Sequence, residues 1–293
     1  MKTESFAAAD DGTLLYYSTT APDEPDEPAR APVVLCDGIA CDGFIWKYLR
    51  PALARDRVIL HAHYRGHGRS GSPRDKARID IPALARDMIA VLRDAGLPPA
   101  IIAGHSMGTQ IALELYRHAP DRVRALMLLC GSSGRITSTF HGTDLLRTVL
   151  PPILETVRGR RGVARAIWSR LSPTLGFRMA KLLGEVNRRQ MREEDLRPYL
   201  EHITHVDLEL FLGMLREAGE HDASDMLSSI GVPTLVIAAE RDTFTPPAVA
   251  EAMASAIPDS DFLMLRAGSH AAPIEQPDLV ELRVAKFLRD RVD

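Results

Sequence analysis

Residues 100–113 read AIIAGHSMGTQIAL. Four apolar residues, 100–103, run into Gly104, His105, Ser106, Met107 and Gly108, and an apolar, helix-forming stretch resumes at once. A short apolar run bounded in this way reads as a buried strand, and the stretch after it as a helix. Ser106 therefore stands on a sharp strand-to-helix turn. Such a turn forces an uncommon backbone conformation on the serine and requires small neighbours, which the glycines two residues before and two after provide. It lifts the hydroxyl above the sheet at a helix N-terminus, where backbone N–H groups can face a developing anion.

The same rhythm extends outward. Residues 32–36, 58–61, 123–129, 234–238 and 262–265 are short apolar runs without alternation. Residues 44–54, 82–95, 107–118, 248–256 and 278–289 read as helices between them; Leu84, Met88, Val91 and Leu92 share one side of the second. Unalternating runs separated by helices indicate parallel strands buried on both faces, so the fold class is α/β. Residues 5–9 and 13–19 flank Asp10, Asp11 and Gly12, a hairpin signal. The segment 21–30, APDEPDEPAR, is acidic and proline-rich and reads as an exposed loop. Between about residues 135 and 226 the rhythm breaks. This arginine-rich stretch reads as helices inserted between two sheet strands, with VLPPIL as an interruption.

Composition limits the function classes. The chain has 293 residues, 45% of them apolar, and its 36 basic and 39 acidic residues leave a net charge of -3. A nucleic-acid binder needs a basic excess to neutralise phosphates, and none is present. Cys36, Cys41 and Cys130 form no regular disulfide framework. Residues 1–12 carry charges where a signal peptide is apolar, and no apolar run approaches the roughly 20 residues that span a bilayer. The expectation is a cytoplasmic protein without stable membrane insertion; a homo-oligomer is compatible with the sequence.

A serine hydroxyl is a weak nucleophile without a base, and the base needs an orienting acid. TLVIAAERDTFTPP, residues 234–247, places Asp242 just beyond a strand-like run. DFLMLRAGSHAAPIEQPD, residues 261–278, places His270 beyond the next. All three groups follow the carboxyl ends of strands, the edge at which open parallel sheets carry their sites.

With VVLCDGIACDGFIW (33–46), HAHYRGHGRSGSP (61–73), GHSMG (104–108), AAERDTFTP (238–246) and GSHAAPIEQPD (268–278), the chain resembles the α/β-hydrolase fold family, in particular its capped members. The resemblance covers nearly the whole chain and is weakest over the helical insertion. It implies an eight-stranded, mostly parallel sheet flanked by helices, a core of residues 1–134 and 227–293, and a helical lid at 135–226. It further implies Ser106 as nucleophile, His270 as general base, Asp242 as orienter, and the backbone N–H groups of Ile39 and Met107 as the oxyanion hole.

Two positions depart from the family pattern. Asp37-Gly38 stands where His-Gly is usual, and His63 stands where Asp is usual. The exchange is reciprocal and the strands are adjacent in the family fold. Asp37 and His63 are therefore expected to contact each other and, with Gly38, to brace the loop carrying Ile39. His61, His63 and His67 read as a strand end entering a loop rather than a metal site. Arg158, Arg160 and Arg161 read as a solvated helix end, and Cys36 and Cys41 as packing residues. Trp168, Phe177, Tyr199 and Phe211 fit either an acyl pocket or the lid's own core.

These readings lead to a serine hydrolase that cleaves a carboxylic ester of a small or medium-sized apolar substrate through an acyl-enzyme, with no metal or organic cofactor and no nucleic-acid partner. Lactonase, thioesterase, C–C hydrolase and cofactor-free haloperoxidase or perhydrolase chemistry share the same triad. Epoxide hydrolases and haloalkane dehalogenases normally carry Asp at the position of Ser106. A non-catalytic ligand-binding member of the fold is the alternative of another class.

Overall fold

In a computed structural model, residues 2–23, 29–136, 145–170, 172–183 and 186–293 are described; part of the acidic loop and residues 137–144 of the expected lid lie outside them. The strands are β1 (Lys2–Ala8), β2 (Leu14–Thr20), β3 (Val33–Cys36), β4 (Ile59–Ala62), β5 (Ala100–His105), β6 (Val123–Leu129), β7 (Thr234–Ala239) and β8 (Ser260–Leu265). They form one eight-stranded sheet in the order β1-β2-β4-β3-β5-β6-β7-β8. β2 runs antiparallel to β1 and β4, and β3 to β8 are parallel.

The helices are α1 (Leu49–Leu53), α2 (Ile81–Asp94), α3 (Met107–His118), α4 (Leu145–Gly159), α5 (Arg161–Trp168), α6 (Pro173–Leu183), α7 (Glu193–Ile203), α8 (Leu208–Glu220), α9 (Pro247–Ala256), α10 (Ala272–Glu275) and α11 (Pro277–Arg291). One face of the sheet, with Val34, Leu60, Ile102, Leu126 and Val236, packs on α2, α3 and α9. The other, with Val33, Ile59, Ile101, Met127 and Leu235, packs on α1 and α11. Successive residues of one strand thus enter opposite cores, which is why these strands carry no polar alternation. No helix among the described residues is long and apolar enough to cross a membrane.

Two expected elements differ. Residues 44–54 form a 3-10 turn at Phe44–Trp46 and then α1, not one helix. Pro51 has no N–H to bond back to residue 47, so a continuous ladder cannot form. Conversely, VLPPIL does not interrupt a helix: α4 runs through Pro151 and Pro152. The loss of two backbone donors is offset by packing, as Leu150 and Leu154 are buried against Leu212 of α8.

Candidate active site

β5 ends at His105 and α3 begins at Met107, so Ser106 alone makes the turn, at φ 55° and ψ -122°. A non-glycine residue in this region stores of order 1–3 kcal/mol and persists only where its surroundings fix it. The two flanking glycines do so by close approach. A Cβ on Gly104 would overlap the carbonyl of Gly108, and one on Gly108 would overlap the carbonyl of Cys36 at the end of β3.

The loops after β7 and β8 bring the other two groups to this turn. His270 Nε2 lies 2.9 Å from Ser106 Oγ, and His270 Nδ1 lies 3.0 and 2.9 Å from the two carboxylate oxygens of Asp242. Asp242 is buried and also accepts hydrogen bonds from the backbone N–H groups of Phe244 (2.9 Å) and Thr245 (2.8 Å) and from Thr245 Oγ1 (2.8 Å). Asp242 serves these donors as an acceptor, so His270 carries its proton on Nδ1 and donates it to the carboxylate. Nε2 is then free to accept the serine proton.

His270 is itself held from two sides. His105 Nε2 donates to the His270 carbonyl at 3.0 Å. Burial, aided by the neighbouring His270, pushes the His105 imidazole down to about 3, so it is neutral at physiological pH. On the other side Glu275 accepts from Ser269 N (2.8 Å), Ser269 Oγ (2.6 Å) and Asn187 N (2.6 Å), which ties the His270 loop to the segment preceding α7. The sequence reading assigned neither residue to the site. Thr245 was equally missed, although an aspartate followed by a turn and a threonine three residues on is a recognisable turn signal.

The expected contact between Asp37 and His63 does not form. Asp37 pairs with His61, whose Nε2 is 2.8 Å from Oδ2, and accepts from Trp46 Nε1 (2.6 Å) and Gly43 N (2.9 Å). Burial works against the charged Asp37 carboxyl, but His61 and these donors hold it below the usual carboxylate range. His63 instead takes Asp42, with Nε2 2.7 Å from Oδ1, while its Nδ1 accepts from Arg69 N at 2.8 Å. Leu35 lies beside His61 on the parallel pair β3 and β4, so the same register carried on would bring Asp37 level with His63. β3 ends at Cys36 and β4 at Ala62, before that point is reached, and the Asp37 carboxylate turns back to His61. A His–Asp pair therefore does brace the loop of Gly38 and Ile39, with His61 as its histidine. Tyr64 adds a hydrogen bond to the Asp37 carbonyl at 3.0 Å.

Met107, as the first residue of α3, has no intrahelical acceptor for its N–H. The N–H of Ile39 has no backbone acceptor among the described residues. Both residues, with Gly38, Ser106 and His270, line a cavity of about 300 Å3. Its other walls are mainly apolar: Phe44 and Ile45 from the core, Leu196, Tyr199 and Leu200 from α7, and Phe211 and Leu215 from α8. The four aromatic residues left open by the sequence divide. Tyr199 and Phe211 face the cavity. Trp168 stacks on Phe211 and donates to the Ile203 and Val206 carbonyls, and Phe177 is buried in the core. Burial pushes the thiols of Cys36, Cys41 and Cys130 upward, so none is an activated nucleophile. Arg158 and Arg161 both pair with Glu209 of α8.

A protein-family model described as alpha/beta hydrolase fold matches residues 31–277. RutD from Azorhizobium caulinodans, which carries a provisional carbamate-hydrolase name, is 30% identical over 256 residues, covering 86% of this chain and 88% of its own. An esterase from Thermogutta terrifontis superimposes with a TM-score of 0.76 at 23% identity over 100% of both chains. An enol-lactonase from Burkholderia xenovorans LB400 superimposes at 0.74 with 23% identity, over 98% of this chain and 100% of its own.

Proposed function

The chain belongs to the alpha/beta-hydrolase fold family, and on that premise we propose that it is a serine hydrolase of carboxylic esters. The observation that carries this reading is the continuous linkage from Ser106 Oγ through His270 to Asp242, opening into an apolar cavity. Ser106 attacks the ester carbonyl as His270 Nε2 takes its proton. The negative charge that develops on the carbonyl oxygen is met by the N–H groups of Ile39 and Met107. Collapse expels the alcohol, protonated by His270, and leaves an acyl-Ser106 intermediate. Water deprotonated by His270 then releases the acid. Each oxyanion donor supplies roughly a hundred- to thousandfold in rate.

The helices between β6 and β7 act as the cap over this cavity, residues 135–226 on a core formed by 1–134 and 227–293. Two contacts support the docking of α7: buried Asp195 takes Lys47 Nζ (2.5 Å) and Tyr48 Oη (2.9 Å) from the core. The test is turnover of p-nitrophenyl esters from acetate to palmitate, with aryl carbamates alongside because of the RutD relative. The reading requires turnover by the native chain and a loss of about a millionfold in Ser106→Ala. Equal rates for the two proteins would overturn it.

A further inference from the structure

A second cavity, of about 620 Å3, lies against the catalytic one. It is lined by Val186, Asn187, Arg188, Arg189, Gln190, Arg241, Ala267 and Ser269, and Val186 lines both cavities. Arg241 immediately precedes Asp242, and Ser269 immediately precedes His270, so the second cavity shares its backbone with two members of the triad. Among the described residues three arginines line it and no acidic residue does.

Among the described residues the charge is uncompensated, and the backbone that carries the arginines is fixed. Among the described residues, the side chains of Arg189 and Arg241 have no carboxylate partner. The nearby acids are engaged elsewhere. Glu240 takes Ala267 N and Arg266, and Glu275 takes Ser269 and Asn187 N. Glu185 lies outside the described residues. Asn187 anchors the turn that presents the arginines. Its Nδ2 donates to the Ala267 carbonyl (2.7 Å), and its Oδ1 accepts from Arg189 N (3.0 Å) and Gln190 N (3.3 Å). Arg188 is fixed along its length by bonds to the carbonyls of Lys181 and Leu182. Guanidinium groups gathered in one cleft suit a planar or tetrahedral oxyanion.

We propose that this basic cleft is a subsite for an anionic group, carboxylate or phosphate, on the substrate. The physiological substrate is then an acidic ester, whose apolar part fills the catalytic cavity while its anion passes Val186 to Arg189 and Arg241. This rests on the hydrolase reading above and deepens it.

The test compares matched pairs. The p-nitrophenyl monoester of glutaric acid and its neutral methyl ester place the anion on the acyl side. 4-Acetoxybenzoate and its methyl ester place it on the leaving-group side. The native chain is expected to favour the anionic member of at least one pair by about tenfold in kcat/KM, mainly through KM, which corresponds to about 1.4 kcal/mol. In the double variant Arg189→Gln, Arg241→Gln the preference disappears while the neutral ester is turned over as before. Both side chains are exposed, so the variant is expected to fold, and a thermal melt checks it. Equal use of both members of both pairs by the native chain, or a preference that survives the double substitution, overturns the proposal. Pyrophosphate titrated calorimetrically into the native chain and the double variant decides the subsite without turnover. Binding by the native chain alone supports it, and binding by both or by neither overturns it. Failure to hydrolyse any ester falsifies the hydrolase reading separately.

Discussion

Ser106, His270 and Asp242 make a chain of hydrogen bonds, and two buried histidines outside it make the stability of the fold depend on pH. His105 and His67 are buried and neutral, pushed by burial down to about 3 and about 4. Unfolded, each binds a proton near pH 6.5. Below that pH the unfolded chain holds more protons than the folded one, so stability is full above pH 6.5 and falls as pH drops toward the folded values. Each histidine contributes a slope of up to about 1.4 kcal/mol per pH unit in that window. Urea unfolding at pH 8, 7, 6 and 5 checks it. The fall should begin below about 6.5, and His67→Gln and His105→Gln should each flatten it. Stability independent of pH from 8 to 5 would contradict the assignment. The meeting of Ser106, His270 and Asp242 was legible at this scale because a serine between glycines, an aspartate and a histidine each follow a recognisable strand. The partner of Asp37 was not legible, because the strand register carried on would set Asp37 level with His63, whereas beyond the strand ends the carboxylate turns back to His61.

At the scale of elements, the β5–α3 junction works only because α3 lies against the end of β3. Gly108→Ala puts a methyl group into the Cys36 carbonyl, a backbone atom that cannot swing aside. We expect a loss of about 3 kcal/mol or more in stability, with activity falling as the loop of Gly38 and Ile39 is pushed away. Gly162→Ala is the contrasting case. It lies in α5 with nothing within 4 Å of the added carbon, and should gain roughly 0.5–1 kcal/mol. Thermal melts of the two variants should therefore move in opposite directions. The inner strands of the parallel sheet were legible because both faces are buried and the runs are nearly all apolar, Arg124 of β6 and His61 of β4 being exceptions. The helices were less so. Prolines forecast a break in α4 that packing overrides, and Pro51, in the first turn of α1, marks a new helix start in a stretch that periodicity alone makes continuous.

For the whole molecule, the cavity is closed by side chains from segments far apart in the chain: Phe44 and Ile45 beside β3, Tyr199 on α7, and Leu215 on α8. Its volume of about 300 Å3 sets the length of chain it can hold. The native protein should prefer short to medium acyl chains in the p-nitrophenyl series. Leu215→Ala, which removes side-chain volume from the α8 wall, should move the optimum to longer chains. An optimum unchanged by that substitution would place the acyl group elsewhere. This was the least legible level. An aromatic residue on an amphipathic helix can face either its neighbours or a cavity, and Tyr199 and Phe177 took opposite courses.

The most direct test of the account is covalent labelling with a fluorophosphonate, which reacts with a serine activated by its histidine whatever the natural substrate. Mass spectrometry of the digested protein should find one adduct, on Ser106, absent in Ser106→Ala and formed far more slowly in His270→Ala. No adduct, or an adduct that persists in Ser106→Ala, would contradict the assignment of Ser106 as the nucleophile.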